Sequence, residues 1–190
     1  MIKYRKPEQE VNTMKITIIT GSAHKNGTSS YLTEQFIKGA EEAGHEIFRF
    51  DAAFKDVHPC VACEKCHNGP PVCVFKDDMT ELNPHLIETD AVVFVSPIYY
   101  YDINAQLKAV IDRFYANDAL LHGDKKTVLL LTMADNHIET AAGAIASFQG
   151  MAKYLEWTVA GTVTAVNCMT LDMLKITDYP KQAYELGKSL

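Results

Sequence analysis

The sequence predicts an α/β domain in which a mostly parallel sheet is covered by helices on both faces. Strand and helix patterns alternate along the 190 residues, as expected for repeated strand–helix–strand units. The strand segments are near-continuous apolar runs, which is typical of strands that are buried on both faces. The composition, 47% hydrophobic and 22% charged, supplies enough apolar surface for one sizeable core.

Each element is predicted from its local pattern. A polar arm, residues 1–13, is expected to precede a single domain at 14–190. Apolar and β-branched runs predict five strands, at "MKITIIT", "HEIFRFD", "AVVFVS", "TVLLLT" and "TVAGTVTAV". Helical spacing predicts helices from Ser30 to a stop at Gly44, after a capping pair formed by Asp78 and Glu81, over 103–114, from Ile138 to Leu155, and from Tyr179 onward.

Charge and hydropathy exclude several classes of protein. The formal net charge of −6 and the pI of about 5.6 do not suit a nucleic-acid-binding surface. No apolar run reaches the roughly 18 residues of a membrane span, and the N-terminus lacks the apolar region of a secretory signal. We therefore expect a cytoplasmic protein without nucleic-acid or membrane partners, in which cysteines stay reduced.

The loop after the first predicted strand has the composition of an anion-binding site. It reads "GSAHKNGTSSYL", residues 21–32, and joins a strand to a helix. Its hydroxyl and backbone N–H groups would converge at a helix N-terminus, where the helix dipole favours an anion. It contains neither the lysine of a Walker loop nor the GxGxxG dinucleotide pattern. The loop predicts a site for a phosphate monoester, and the alternative is an ordinary capped loop.

The loop after the third predicted strand is rich in tyrosine. It lies in "SPIYYYDINAQLKAVIDRF", residues 96–114, where Pro97 ends the strand and Asn104 is a plausible helix cap. Tyr99, Tyr100 and Tyr101 cannot all enter the core, because consecutive side chains point in different directions. One of them could present its ring to a planar ligand, and the equal alternative is core packing with a subunit contact. Three charged residues of the helix are expected on a solvated or interface face: Lys108, Asp112 and Arg113.

Four of the five cysteines lie in "PCVACEKCHNGPPVC", residues 59–73, with the spacing C-x2-C-x2-C-x6-C. A disulfide is disfavoured in a reduced chain of this size, and a zinc ribbon needs two separated cysteine pairs. Ferredoxin-like runs use C-x2-C-x2-C around three corners of a [4Fe-4S] cluster. A cluster, reduced structural or redox thiols, and zinc remain open. The candidate ligands are Cys60, Cys63, Cys66 and Cys73, with His67 as a minor one, whereas Cys168 is expected to be a buried apolar residue.

The two loops and the cysteine run leading into "CVFKDDM" together resemble the flavodoxin-like NAD(P)H-dependent FMN reductases. The similarity is greatest to the branch that includes the iron-sulfur flavoproteins, and it is strong over about residues 14–114. The resemblance implies a flavodoxin-like three-layer sandwich with a five-stranded parallel sheet in the order 2-1-3-4-5. It also implies FMN as cofactor, NAD(P)H as electron donor and, within that branch, a [4Fe-4S] cluster.

The resemblance also implies positions for the cofactor. It places the FMN phosphate among Ser22, His24, Asn26, Thr28 and Ser29. It places the isoalloxazine ring beside Pro97, Ile98, Tyr99 and Tyr100, with Ala134 and Asp135 on the loop after the fourth strand. One departure is Gly27-Thr28-Ser29, where relatives often read Gly-Asn-Thr.

The resemblance leads to three functional hypotheses. The first is an FMN-dependent oxidoreductase that reduces a small acceptor, such as a quinone or a flavin, with NAD(P)H; no catalytic side chain is expected, because the cofactor carries the chemistry. The second is an electron-transfer module between protein partners, and the third is a non-enzymatic flavin- or metal-binding protein. We expect a homodimer or tetramer.

Overall fold

The computed structural model describes residues 13–190, so all but the last residue of the predicted polar arm lies outside the described residues. The sheet contains five parallel strands in the spatial order β2-β1-β3-β5-β6, which is the predicted order 2-1-3-4-5 counted over the parallel strands. A two-residue strand that was not predicted, β4, pairs antiparallel with the end of β3. The strands are β1 Lys15–Thr20, β2 Glu46–Asp51, β3 Ala91–Tyr99, β4 Asp102–Ile103, β5 Lys126–Thr132 and β6 Thr158–Ala165.

Helices cover both faces of the sheet, which confirms the three-layer flavodoxin-like sandwich. The helices are α1 Thr28–Glu42, α2 Met79–Glu88, α3 Ala105–Asp112, α4 Asp118–Leu121, α5 Ala142–Tyr154, α6 Leu171–Lys175 and α7 Tyr179–Lys188. Buried residues of α1, α6 and α7 form one core, and those of α2 to α5 form the other. Strand β3 serves both, since Val92 and Phe94 face one core and Val93 and Val95 the other. None of the helices described is both long and apolar enough to span a membrane.

The predicted capping pair of α2 is wrong, although the helix begins where the pair suggested. Neither Asp78 nor Glu81 caps the helix through its side chain. The Asp78 carboxylate instead accepts a hydrogen bond of 2.7 Å from the Asp56 backbone N–H, and Glu81 pairs with Lys55 at 2.5 Å. Both side chains therefore secure the start of the cysteine-bearing loop, which approaches from a distant part of the chain.

Two other helices differ from their predicted bounds for local reasons. The helix expected over 103–114 begins only at Ala105, because the preceding residues pair with β3 as β4. The helix expected from Ile138 begins with a 3₁₀ turn at Ile138–Ala141, and α5 follows it. Helices α4 and α6 are short and were not predicted.

Helices α1 and α7 pack closely enough that glycine is required at their contact. A Cβ atom on Gly187 would collide with the backbone carbonyl oxygen of Phe36, and one on Gly39 would collide with that of Tyr184. Backbone atoms cannot move aside as a flexible side chain can. The two helices therefore touch through their backbones, and this contact sets the position of α1 on the sheet.

We expect Gly187→Ala to lower the free energy of unfolding by about 1–3 kcal/mol, because the added methyl group overpacks this contact. Gly150→Ala in α5 is the matched control, since no atom lies within 4 Å of the added Cβ. The control should raise stability by about 0.5–1 kcal/mol through helix propensity. Urea unfolding of both variants measures the difference. Equal stability of the two variants would contradict the packing argument.

Candidate functional site

A cleft of about 690 Å³ opens at the carboxyl ends of the parallel strands, where this architecture binds ligands. Its walls come from the last residues of β3 and β5 and from the segments that follow β1, β5 and β6. Nine of the eleven residues predicted to contact FMN line it: Ser22, His24, Asn26, Thr28, Ser29, Pro97, Ile98, Tyr99 and Ala134. Tyr100 and Asp135 lie outside the lining.

The end of the cleft nearest β1 is built around the N-terminus of α1. Helix α1 begins at Thr28 after Gly27, with no side-chain cap and no acidic residue in its first turn. The Ser29 and Thr132 hydroxyls lie 2.7 Å apart, and the Thr28 hydroxyl donates to Thr132 at 3.3 Å. The positive end of the helix dipole and three hydroxyl groups therefore face the same space, which suits a phosphate group.

Asn104 connects the first two loops of the cleft, a role that the sequence did not predict. It precedes α3 as expected, but its side chain caps no helix N–H. Its Nδ2 donates to the Gly21 carbonyl at 2.5 Å, and its backbone N–H donates to the Ser96 hydroxyl at 2.9 Å. A Cβ on Gly21 would collide with the Asn104 side chain, so glycine is needed there. This buried network fixes the loops after β1 and β3 relative to each other.

The three consecutive tyrosines all lie outside the core. Tyr99 lines the cleft and is 51% exposed, whereas Tyr100 is 99% exposed. Tyr100 and Tyr101 form the turn between β3 and β4, with φ angles of 47° and 69°. Left-handed backbone is unfavourable for bulky residues and costs on the order of 1–3 kcal/mol. The rest of the fold holds this turn in a strained form beside the mouth of the cleft.

Asp135 is engaged in the turn after β5. Its carboxylate accepts hydrogen bonds from the His137 backbone N–H at 3.0 Å and from the Thr140 hydroxyl at 2.7 Å. These two bonds hold the pKa of Asp135 below its usual range. In the single chain this carboxylate shapes the loop and does not line the cleft.

Eight residues of the cleft lining were not among the predicted FMN contacts: Ala23, Lys25, Gly27, Thr132, Met133, Cys168, Met169 and Leu171. Cys168 is 2% exposed, as expected for a buried residue, and burial raises the pKa of its thiol. Their positions in the predicted strands were the signal: Thr132 ends β5, Met133 follows it directly, and Cys168 lies just after β6. The carboxyl ends of all parallel strands meet at one edge of the sheet, so these positions could have been included.

The four clustered cysteines line a second, much smaller cavity of about 20 Å³, and all four thiols are free. This cavity shares no lining residue with the large cleft. Within residues 13–190, no three His, Cys, Asp or Glu side chains are placed to hold a single metal ion. A single zinc ion needs its ligands about 2.3 Å from one point, whereas each thiolate of a cluster binds a different iron. All-sulfur donor sets serve both structural zinc and iron-sulfur clusters, so the donor set does not choose between the two.

Arg113 is buried beside the cysteines, so the prediction that it lies on a solvated or interface face is wrong. It is 3% exposed and forms an ion pair with Asp77 at 2.5 Å. Its Nη1 also donates to the His58 carbonyl at 2.8 Å. Burial alone would raise the pKa of Asp77, but the hydrogen bonds and charge of Arg113, with the His58 N–H, hold that pKa below its usual range. Pairing with a distant carboxylate makes burial of the guanidinium possible.

We expect the ion pair to stabilise the fold above pH 4 and to lose its effect as pH falls. Folding lowers the pKa of Asp77, so the stabilisation is fully present above the pKa of the unfolded chain, which is about 4. It is lost as the pH falls through the lower pKa of the folded protein. Asp77→Asn should therefore cost about 3–5 kcal/mol at pH 7 and less at pH 3. Urea unfolding at both pH values measures this. The exposed Asp124→Asn is the control, and a pH-independent cost of Asp77→Asn would contradict the expectation.

The parallel sheet in this order, with a hydroxyl-rich loop between β1 and α1, defines a flavodoxin-like α/β protein. Solved structures agree with this class. The azoreductase of Bacillus anthracis superposes with a TM-score of 0.71 at 15% identity, over 94% of this chain and 100% of that chain. The NAD(P)H:quinone oxidoreductase of Methanothermobacter marburgensis gives 0.67 at 18% identity, over 93% and 96% of the two chains. At these identities the similarity shows the fold alone.

The sequence profile of the NADPH-dependent FMN reductases matches residues 14–170, and the chain belongs to this family. Within the family it is similar to the iron-sulfur flavoproteins. One from Archaeoglobus fulgidus is 37% identical over 100 residues, which are 53% of this chain and 45% of that protein. The chain spans about half the length of the curated relatives it matches.

Proposed function

We propose that this protein is an FMN-dependent oxidoreductase that takes electrons from NAD(P)H and passes them to a small acceptor, such as a quinone or a flavin. The observation that carries the proposal is the large cleft at the carboxyl edge of the sheet, which begins at the uncapped N-terminus of α1. The family membership and the family's printed description support FMN as the cofactor.

The loop at 22–29 is proposed to hold the FMN phosphate. The hydroxyls of Ser22, Thr28 and Ser29 line this end of the cleft, together with Lys25, which adds a positive charge. Charge-assisted hydrogen bonds to a phosphate are about twice as strong as neutral ones. The first turn of α1 contributes its free N–H groups without competition from a side-chain cap. This end of the cleft therefore favours an anionic ligand.

The rest of the cleft is proposed to hold the isoalloxazine ring. The predicted ring contacts Pro97, Ile98, Tyr99 and Ala134 line it, together with Met133. The volume of about 690 Å³ lies within the range of about 300–1,000 Å³ that is typical of small-ligand sites. When bound, FMN supplies hydride acceptance and one- or two-electron transfer. The protein residues bind and orient the ring and leave room for a second planar molecule.

Steady-state kinetics test this proposal. We expect the FMN-loaded protein to oxidise NADH or NADPH in the presence of a quinone or free flavin. Full FMN occupancy without NAD(P)H oxidation by any of these acceptors would overturn the oxidoreductase proposal. In that case the remaining hypotheses are an electron-transfer module and a flavin-binding protein without enzymatic activity.

A second candidate function is electron transfer between protein partners through flavin and a [4Fe-4S] cluster. It is favoured by the four free thiols of Cys60, Cys63, Cys66 and Cys73 around one cavity. The name of the Archaeoglobus relative, an iron-sulfur flavoprotein, adds support. Iron and acid-labile sulfide analysis of anaerobically purified protein tests this candidate. Absence of both after reconstitution would exclude it.

We also propose that the protein pairs with a second copy. Tyr100 projects fully exposed from the strained turn beside the cleft, and an aromatic ring in that position would gain from burial against a partner. Light scattering should then give at least twice the mass of 21.2 kDa. A monomeric mass would contradict this proposal without affecting FMN binding.

A further inference from the structure

We propose that Arg113 is a positioning residue of the cysteine site, which fixes both ends of the cysteine segment and offers a buried N–H group to its sulfur. The cysteine segment is defined here as residues 57–76. The inference rests on the proposed cluster, but its mechanical part concerns the protein alone. Arg113 belongs to the turn at the end of α3, far from this segment in sequence.

The guanidinium joins the residues that flank the cysteines on either side. Its Nη1 donates to the carbonyl of His58, two residues before Cys60, at 2.8 Å. Nη1 and Nη2 also bond the two carboxylate oxygens of Asp77, four residues after Cys73, at 2.5 and 3.2 Å. The Asp77 carboxylate accepts the His58 backbone N–H at 3.0 Å and so closes the ring of contacts. The guanidinium thus joins the two ends of the segment, beside the hydrogen bonds between Asp56 and Asp78 that also hold them together.

One donor of this guanidinium remains unused. Among the described residues, Arg113 Nε is buried and has no hydrogen-bond partner. Buried N–H groups without partners are rare in folded proteins. Arg113 and Cys73 line two cavities together, so the two side chains border the same space. A negatively charged sulfur in this cavity would supply the missing acceptor.

The cysteine segment needs anchors of this kind. It contains no helix or strand, and Ala62 and Glu64 adopt left-handed backbone with φ angles of 51° and 59°. Such conformations persist only when the surrounding structure enforces them. A second anchor lies at the middle of the segment, where the His67 ring stacks on Tyr115 with centroids 4.0 Å apart. Arg113 secures the ends, and Tyr115 secures the middle.

The alternative is that Arg113 and Asp77 form only a structural ion pair, and the exchange of arginine for lysine separates the two roles. Lysine keeps the positive charge beside Asp77 but lacks the planar fork and the Nε–H group. Loss of a structural ion pair would lower stability without changing the reduction potential of the iron-sulfur centre, whereas loss of a donor to sulfur would change that potential. Phe75 stacks beneath the guanidinium at 5.3 Å and further favours a planar group.

The test compares Arg113→Lys with the double variant Asp77→Asn/Arg113→Gln, which leaves no unpaired buried charge if the lysine variant fails to fold. Arg49→Lys is the matched control, because Arg49 also pairs with a carboxylate and lines neither cavity. Three quantities are measured: hydrogen exchange of residues 57–76 in metal-free protein, the rate at which a chelator removes iron from reconstituted protein, and the reduction potential of the iron-sulfur centre. FMN content reports whether the large cleft is intact.

In both test variants we expect hydrogen exchange in the cysteine segment and iron loss to be roughly tenfold faster than in wild type. This factor corresponds to the loss of about one hydrogen bond. The reduction potential should fall, because a donor to sulfur has been removed. The control should behave as wild type in all three measurements, and FMN content should not change. If both variants exchange hydrogen and lose iron at the wild-type rates, the proposal is overturned. If hydrogen exchange becomes faster but the rate of iron loss and the reduction potential do not change, the contact with sulfur is overturned.

This design separates the failure of the inference from the failure of the cluster hypothesis. If wild-type protein takes up no iron, the cluster is refuted, while hydrogen exchange still tests whether Arg113 holds the segment. If iron is bound and Arg113→Lys matches wild type throughout, only the positioning role is refuted.

Discussion

Replacing Thr28 and Ser29 together with alanine should weaken FMN binding by about a hundredfold to ten-thousandfold. Both hydroxyls lie at the uncapped N-terminus of α1, and both contact the Thr132 hydroxyl, so they face the proposed phosphate position as one group. Each charge-assisted hydrogen bond to a phosphate contributes about 1.5–3 kcal/mol, and two such losses give the expected range. Flavin fluorescence titration of apoprotein measures the dissociation constant.

Thr33→Ala is the matched control for this double variant. Thr33 lies one turn further along α1 than Ser29 and is also buried, but its hydroxyl donates to the Ser29 carbonyl and does not line the cleft. Its loss should leave FMN affinity unchanged. If the double variant binds FMN as tightly as this control does, the phosphate does not lie on this loop.

Replacing Cys63 with serine should abolish iron and sulfide binding while leaving FMN in place. A hydroxyl is a poor ligand for iron in a cluster, and three remaining thiolates leave one iron without its protein ligand. The FMN cleft and the cysteine cavity share no lining residue, so loss of one ligand set should not reach the other. An absorption spectrum of anaerobically reconstituted protein should lose its broad brown band and keep the flavin peaks.

Lys65→Ser is the control for Cys63→Ser, since it changes an exposed residue of the same segment outside the cavity lining. It should keep full iron and sulfide content. If Cys63→Ser also keeps both, Cys63 is not a ligand. If wild type binds neither, the thiols are structural or redox groups, and NAD(P)H oxidation through FMN should then be unaffected by the substitution.

The strands were accessible from the sequence because buried parallel strands are marked by local apolar runs, whereas their order came from the resemblance to the FMN reductases. "AVVFVS" and "TVLLLT" coincide with β3 and β5 to within a few residues, since both faces of a central strand must be apolar. The hydroxyl-rich loop at 21–32 predicted the start of the cleft for an equally local reason. Where such a loop joins a strand to a helix, the free backbone N–H groups of the helix N-terminus converge on the loop, and this does not depend on the rest of the chain.

The sequence by itself determined the strands, the hydroxyl-rich loop after β1 and the grouping of four cysteines, because each follows from neighbouring residues. Only the tertiary structure decided that Arg113 is buried, that Asn104 joins two loops, and that Asp78 secures a distant segment rather than its own helix. Each of these side chains meets a partner far away in sequence, and a polar group is buried only where such a partner completes its hydrogen bonds. That partner depends on how the whole chain packs, so no local pattern could identify it.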